Sequence, residues 1–268
     1  MKKLYEESNI QAIADAIRAK NGKTTTYNTS EMAAAIEAIE SNNYDKLIGK
    51  TITGVSSNAT TVGVYAFYNC ASLASANFPK ATEIGDYAFY GTSALKSISF
   101  PLLQEIERYA FRGSAFESAD FPKVTYAATT AFAYNSSLKA ANLPKLTEVS
   151  GSLFSNCTAL KSVDLLKATT IGNYAFEKCY SLTAIILRSS TYCSAGTNLL
   201  SNAYHYLGTV NATYNPSGLK DGYIYVPSAL VGTYKTSTNW STYANQFRAL
   251  ESYTVDGTTT GALDTSKI

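Results

Sequence analysis

The chain has 268 residues, 46% of them hydrophobic and 16% charged, with a formal net charge of +2. So even a balance gives no electrostatic footprint for nucleic acid, and no apolar run is long enough to cross a membrane as a helix. One histidine and four cysteines exclude a histidine-rich metal site, and no Cys-x-x-Cys pair is present to suggest zinc or dithiol chemistry.

In chain order, the start Met1-Lys-Lys-Leu-Tyr-Glu-Glu turns acidic before any apolar stretch, and reads as neither a secretory signal nor a membrane anchor. Residues 8–20 place Ile10, Ile13, Ala14 and Ile17 at helical spacing and end at Asn21-Gly22, a natural helix stop. A second helix is predicted from Ser30, with Met32, Ala35, Ile36 and Ile39 on one face. Residues 1–42 are therefore expected to form a helical hairpin. Helices this short are unstable alone, so their stripes must pack on each other, on the next part of the fold or on a partner, as a cap or a docking module. Residues 43–61 form a lead-in with the β-rich run Thr51-Ile-Thr-Gly-Val55.

Periodicity dominates residues 62–188. Phe67, Phe89, Phe111, Phe132, Phe154 and Phe176 recur in steps of 22, 22, 21, 22 and 22 residues. A period this short and regular specifies a solenoid whose units bury their apolar faces only against their neighbours. A Leu-x-x-Φ-x-Φ pattern, with Φ apolar, follows most of these phenylalanines, as in Leu95, Ile98, Phe100 and Leu160, Val163, Leu165. Its alternation predicts a half-buried strand, closed by Pro79, Pro101, Pro122 or Pro144. A second apolar anchor recurs at Ile84, Ile106, Ala127, Val149 and Ile171, with Gly63, Gly85 and Gly172 just after that position, where the chain is expected to turn sharply. Asn69, Gly91, Gly113 and Asn156, two residues past the phenylalanine, are the types that tolerate positive φ. The fold predicted is a leucine-rich-repeat solenoid of about six 22-residue rungs with a parallel sheet on one face. The short third unit and the small anchor Ala127 predict an irregularity in its middle.

Residues 189–253 are read as an irregular loop, rich in Ser, Asn, Gly and Tyr up to residue 222, followed by a capping unit. In the cap, Tyr223–Val226 should be a strand, Pro227-Ser228 a strand end and helix start, and Trp240, Tyr243, Phe247 and Leu250 a closing apolar face. The threonine-rich residues 254–268 are read as a flexible tail.

Candidate functional residues follow from the columns that stacking creates. Lys96, Lys139 and Lys161 recur on the strand side, and Lys80, Lys123, Lys145 and Lys167 after each strand. They form either a basic stripe for an anionic glycan or ordinary protection of a sheet against edge pairing. Glu117, Asp120 and Asp164 interrupt them. Tyr65, Tyr87, Tyr109 and Tyr174 precede the phenylalanine by two residues, and Tyr68 and Tyr90 follow it by one. These are rigid amphipathic contact area of the kind recognition surfaces favour, or rings that cover a thin core from outside. The ligand-binding candidates are Lys96, Lys139, Lys161, Tyr87 and Tyr109. Cys70, Cys157 and Cys179 share one repeat position with Thr92, Ser114 and Asn135, which predicts a tight buried ladder of free thiols. His205 sits alone in an irregular segment, carboxylates such as Glu83 and Asp86 lie on separate turns, and Gly22-Lys23-Thr24 and Gly49-Lys50-Thr51 lack the earlier glycine of a phosphate loop. No catalytic residue, metal or cofactor is assigned.

The unit Ile84-Gly-Asp-Tyr-Ala-Phe-Tyr-Gly-Thr-Ser-Ala-Leu-Lys-Ser-Ile-Ser-Phe-Pro101 resembles the BspA-type leucine-rich repeat, over about Val62 to Leu187. The segments Ile13–Thr24 and Ser30–Ile39 resemble a short module at the start of phage and prophage tail proteins, and Tyr223–Val226 with Trp240–Arg248 resembles the unit that closes BspA-type repeats. The resemblance implies a non-enzymatic recognition protein, either a phage tail component docking through residues 1–42 and binding a host-cell surface glycan or protein, or a bacterial surface adhesin binding host proteins or mucin. Its location would then be the virion or the cell surface.

Overall fold

The computed structural model describes residues 52–201, 219, 222–251, 253–255 and 258–260. The predicted N-terminal helical hairpin and His205 lie outside the described residues. The chain winds into a parallel-strand β-solenoid of about eight turns, with little helix. Each of the early turns contributes a longer strand and a two-residue strand. In chain order these are β1 (Gly54–Ser56), β2 (Thr61–Val62), β3 (Ser75–Asn77), β4 (Glu83–Ile84), β5 (Ser97–Ser99), β6 (Glu105–Ile106), β7 (Ser118–Asp120), β8 (Tyr126–Ala127), β9 (Ala140–Asn142), β10 (Glu148–Val149), β11 (Ser162–Leu165), β12 (Thr170–Ile171), β13 (Ala184–Leu187) and β14 (Ser194–Ala195). The longer strands stack in register on one side, where the Leu-x-x-Φ-x-Φ pattern placed them, and the short strands make a second parallel ladder. The sequence predicted only the first ladder, since two residues carry too little alternation to read as a strand.

The third side has no strands, yet it is hydrogen-bonded from turn to turn. The amides of Tyr87, Phe89 and Gly91 donate to the carbonyls of Arg108, Ala110 and Arg112 on the next rung, at 2.9, 2.7 and 2.7 Å. Two left-handed residues per turn make this possible. The second is the predicted one, at Asn69, Gly91, Gly113 and Asn156. The first falls on Tyr65, Tyr87, Tyr109 and Tyr174, with φ of 58 to 60°, a conformation that carries a penalty of about 1–2 kcal/mol for a side chain of this kind. The glycines work differently from expectation. Gly85 and Gly172 do not have positive φ, but a Cβ on them would lie 2.9 Å from the amide nitrogen of Val64 and 2.5 Å from that of Gly151. Their absent side chains allow close approach of adjacent rungs rather than a sharp turn.

Inside, the six periodic phenylalanines are buried and stacked in one file, with centroids 5.1 to 5.8 Å apart and planes within 14° of parallel. Beside them the predicted polar column is buried too. Thr92 Oγ1 and Asn135 Nδ2 donate to the carbonyls of Phe89 and Phe132, and the thiols of Cys157 and Cys179 donate to those of Phe132 and Phe154 at 3.1 Å. None of the four cysteines, all of them among the described residues, is joined in a disulfide.

The predicted irregularity appears as two interruptions. The long ladder stops between β5 and β7, where Phe116 fills the leucine site one residue early and meets Phe111 edge-on at 5.4 Å. The short ladder stops between β8 and β10, where the Ser150 hydroxyl, rather than the Ser150 amide, donates to the Ala127 carbonyl at 2.7 Å.

At the C-terminal end the structure differs from the expected loop at its start. Ser194–Ala195 continues the short ladder, and Thr197, Leu199 and Ser201 accept the looped-side bonds of the preceding rung. Tyr223–Val226 (β15) and Phe247–Ala249 (β16) then extend the long ladder. Between them run a 3-10 turn at Ser228–Leu230, the helix α1 (Val231–Thr236) and a 3-10 segment at Ser241–Gln246. Tyr234, Trp240, Tyr243 and Phe247 are buried against the last turn. The Tyr234 hydroxyl accepts from the Cys193 amide at 2.8 Å, Trp240 Nε1 donates to the Cys193 carbonyl at 2.7 Å, and the Tyr243 hydroxyl accepts from the Leu200 amide at 3.3 Å. Leu250 departs from the closing face and packs on the outer surface of the sheet with Ala184, Ile186 and Tyr225. Tyr253–Val255 (β17), which straddles the end of the expected capping unit and the start of the expected tail, and Thr258–Thr260 (β18) pair antiparallel. No helix among the described residues is long and apolar enough to cross a membrane.

Candidate recognition surface

The rung spacing that stacks phenylalanines inside also stacks tyrosines outside. Tyr65, Tyr87 and Tyr109 lie face to face at 5.0 and 4.6 Å, and Tyr68 and Tyr90 stack at 5.1 Å beside them. Edge contacts tie the two files, with Tyr65 and Tyr68 at 5.3 Å. Arg112 continues the second file. Its guanidinium lies 5.1 Å from the centre of the Tyr90 ring and 4.2 Å from that of Tyr134, and it donates to the Tyr90 hydroxyl. Nothing in the period marked Arg112 for this role; the signal was its place one residue after Phe111, where the preceding rungs carry Tyr68 and Tyr90. The first file ends because Thr130 and Ser152 replace tyrosine on the next two rungs. Burial, together with the neighbouring tyrosines, pushes the Tyr87 hydroxyl above its ordinary range, so it remains a neutral hydrogen-bond donor and acceptor at physiological pH.

The structure therefore brings Tyr87 and Tyr109 together, at the corner where the short ladder meets the looped side. It does not bring the lysines to them. Lys96, Lys139 and Lys161 are exposed at the corner that leads into the longer strands. Lys139 donates to Glu117 Oε2 at 2.7 Å, and this contact, helped by the Lys96 charge, holds the Glu117 carboxyl below its ordinary range. The basic column is thus partly neutralised on its own surface.

A feature the sequence did not single out is the acidic flank of the tyrosines. Glu83 and Glu105 are in-register partners on β4 and β6, and Tyr126 is the next partner in that column. Asp86 binds the Arg108 guanidinium at 3.0 Å and its amide at 2.9 Å. Burial, then the charges of Asp86, Glu83 and Glu105, raises the Glu107 carboxyl above its usual range. Among the described residues no group of three or more His, Cys, Asp or Glu is arranged to hold a metal ion. Burial pushes the Cys157 and Cys193 thiols up to about 12, which disfavours the thiolate that cysteine chemistry needs.

Residues 60–183 match the model of the BspA type leucine rich repeat region, in six copies. Among solved structures, the chain is similar to the Leucine Rich Repeat protein of T. pallidum, at 26% identity and a TM-score of 0.50 over 55% of this chain and 71% of that one. It is also similar to a leucine-rich repeat protein from Bacteroides ovatus (20% identity, TM-score 0.40, 74% and 72% covered) and to a leucine rich cell surface protein from Faecalibacterium prausnitzii (20%, 0.34, 60% and 53%). Among curated proteins none matches the sequence significantly.

Proposed function

We propose that this is a non-enzymatic recognition or adhesion protein whose BspA-type slab holds a host-cell surface glycan or protein against its tyrosine-bearing side. The observation that carries the proposal is the stack of Tyr65, Tyr87 and Tyr109 beside Tyr68 and Tyr90. Rings already ordered by stacking lose little freedom on binding and present amphipathic area, which favours affinity. Lys96 and Lys161 remain secondary contact candidates. The setting proposed is a phage or prophage tail, docked through residues 1–42, on the resemblance of Ile13–Ile39. The alternative setting, a bacterial surface adhesin, draws equal support from the BspA-type repeats. The protein would act on the virion or at the cell surface.

The test is binding of the labelled full chain to intact Gram-positive and Gram-negative gut bacteria, with mucin and extracellular-matrix proteins in parallel. Selective labelling of a narrow set of strains, lost in Tyr87→Ala/Tyr109→Ala, supports the tail setting; binding to mucin or matrix alone, lost in the same variant, supports the adhesin. Binding unchanged by that variant would refute the assignment of the tyrosine side.

A further inference from the structure

Two properties of the tyrosine side narrow the chemistry of what it binds. The first is which part of each ring is available. In the file Tyr65, Tyr87, Tyr109 the rings lie within 18° of parallel, so both faces of Tyr87 are occupied by its neighbours, and the Arg112 guanidinium lies over the rings of Tyr90 and Tyr134. Stacking on a pyranose needs a free ring face; within this file only the end rings can offer one, and its middle offers edges and hydroxyls instead.

The second property is charge. Glu83 and Glu105 stand on adjacent strands in register, about 4.8 Å apart along the ladder, and like charges directly opposite one another oppose pairing. Glu107 joins them two residues on, and the charges of Asp86, Glu83 and Glu105 all bear on its carboxyl. The cation among them, Arg108, is engaged by Asp86 through both its guanidinium and its amide. Tyr126 follows Glu105 in the same column, 46% exposed and apart from the stacked file, within reach of the charges of Glu107, Glu148 and Asp86 and, in the opposite sense, of the Arg108 that Asp86 engages. A ring of this kind, bordered by carboxylates, is where a cationic side chain gains from the ring face and the acids together.

We infer that the tyrosine side takes a protein partner through a lysine- or arginine-bearing segment, with a cationic side chain seated on Tyr126 among Glu105, Glu107 and Glu148 and the segment's backbone against the hydroxyls of the stacked tyrosines. This inference rests on the proposed tyrosine surface and specifies its partner class. Charge complementarity selects the occupant: a cation removes the repulsion that register imposes on Glu83, Glu105 and Glu107, whereas an anionic glycan would add to it.

The experiment measures binding of the full chain to immobilised 12-residue peptides carrying four lysines or arginines, to matched neutral and acidic peptides, and to neutral and anionic polysaccharides, at low and physiological salt. Three variants accompany it: Glu105→Gln/Glu107→Gln, Tyr126→Ala, and Tyr87→Ala/Tyr109→Ala, each checked by its thermal melt. The expected result is binding to the cationic peptides alone, weakened by salt, and reduced tenfold or more by the glutamine pair and by Tyr126→Ala. Polysaccharide binding that falls in Tyr87→Ala/Tyr109→Ala but not in the glutamine pair would overturn the inference and leave the tyrosine surface standing. Peptide binding equal in all three variants would overturn both.

Discussion

The phenylalanine file inside the solenoid and the tyrosine file outside it share one period, one stacking geometry and nearly one spacing, yet they do different things. Phe89, Phe111 and Phe132 are fully buried, and each fills volume that no neighbour can recover. Tyr65 keeps 48% of its surface in water, and Tyr65, Tyr87 and Tyr109 sit on left-handed backbone that works against their being there. Repetition alone therefore does not tell core from contact surface. The difference lies in whether the side chain projects inside the coil or at its corner, where the left-handed backbone recurs at Thr130 and Ser152 as well and is imposed by the stack.

The largest separation of the two files comes from truncating each. Phe111→Ala, in the middle of the buried file, should lower unfolding free energy by about 3–5 kcal/mol, read from denaturant midpoints. Tyr87→Ala gives up two face-to-face ring contacts, with Tyr65 and Tyr109, each about 0.5–1.5 kcal/mol, against a backbone that stays left-handed, so its loss should be about 1–2 kcal/mol by the same measurement, while binding falls far more. A Phe111→Ala variant as stable as Tyr87→Ala would mean that the inner file is not the core.

The comparison sharpens if the outer file is lengthened. Thr130 already has φ of 61° and stands where a fourth tyrosine would stack on Tyr109. Thr130→Tyr should raise the melting temperature slightly, with a gain of about 0.5 kcal/mol; a loss would show that Tyr109 does not have that face free.

The smallest effect is electrostatic. Glu107 has its folded pKa raised, so its charge opposes folding at neutral pH and that opposition fades as pH falls through the raised value. Glu117 has its folded pKa lowered by Lys139, so its contribution is present above the ordinary carboxylate range and is lost as pH falls through the lowered value. Thermal melts on acidification should show a slight rise before the decline, and Glu107→Gln should abolish the rise alone.

The inner file, its polar column and the second set of left-handed positions were legible because each is a residue type repeated every 22 positions. Even the two ladder interruptions were foreshadowed, by the short third unit and by Ala127. What remained hidden has a common cause: it depends on neighbours in the stack rather than along the chain. Gly85 is required by the Val64 backbone one rung away, and the Glu83, Glu105, Tyr126 column exists only through strand register. The lysine stripe was legible as a pattern, but its partial neutralisation became visible only in the Glu117 to Lys139 contact. The first left-handed position was missed because tyrosine is a poor residue for it, so intrinsic preference argued against what the stack imposes.

The looped side also gives the molecule a direction. There, from Tyr65 to Lys178, each rung's amides point to the following rung, so unsatisfied donors can arise only at the C-terminal face, where the Tyr243 hydroxyl accepts from Leu200. Length is consequently decoupled from termination. A duplicated 22-residue segment inserted upstream would receive donors from one side and offer them to the other, and the terminus would meet the same surface as before. Gene-level expansion or contraction of the array can thus change how far the contact face reaches without redesigning its ending.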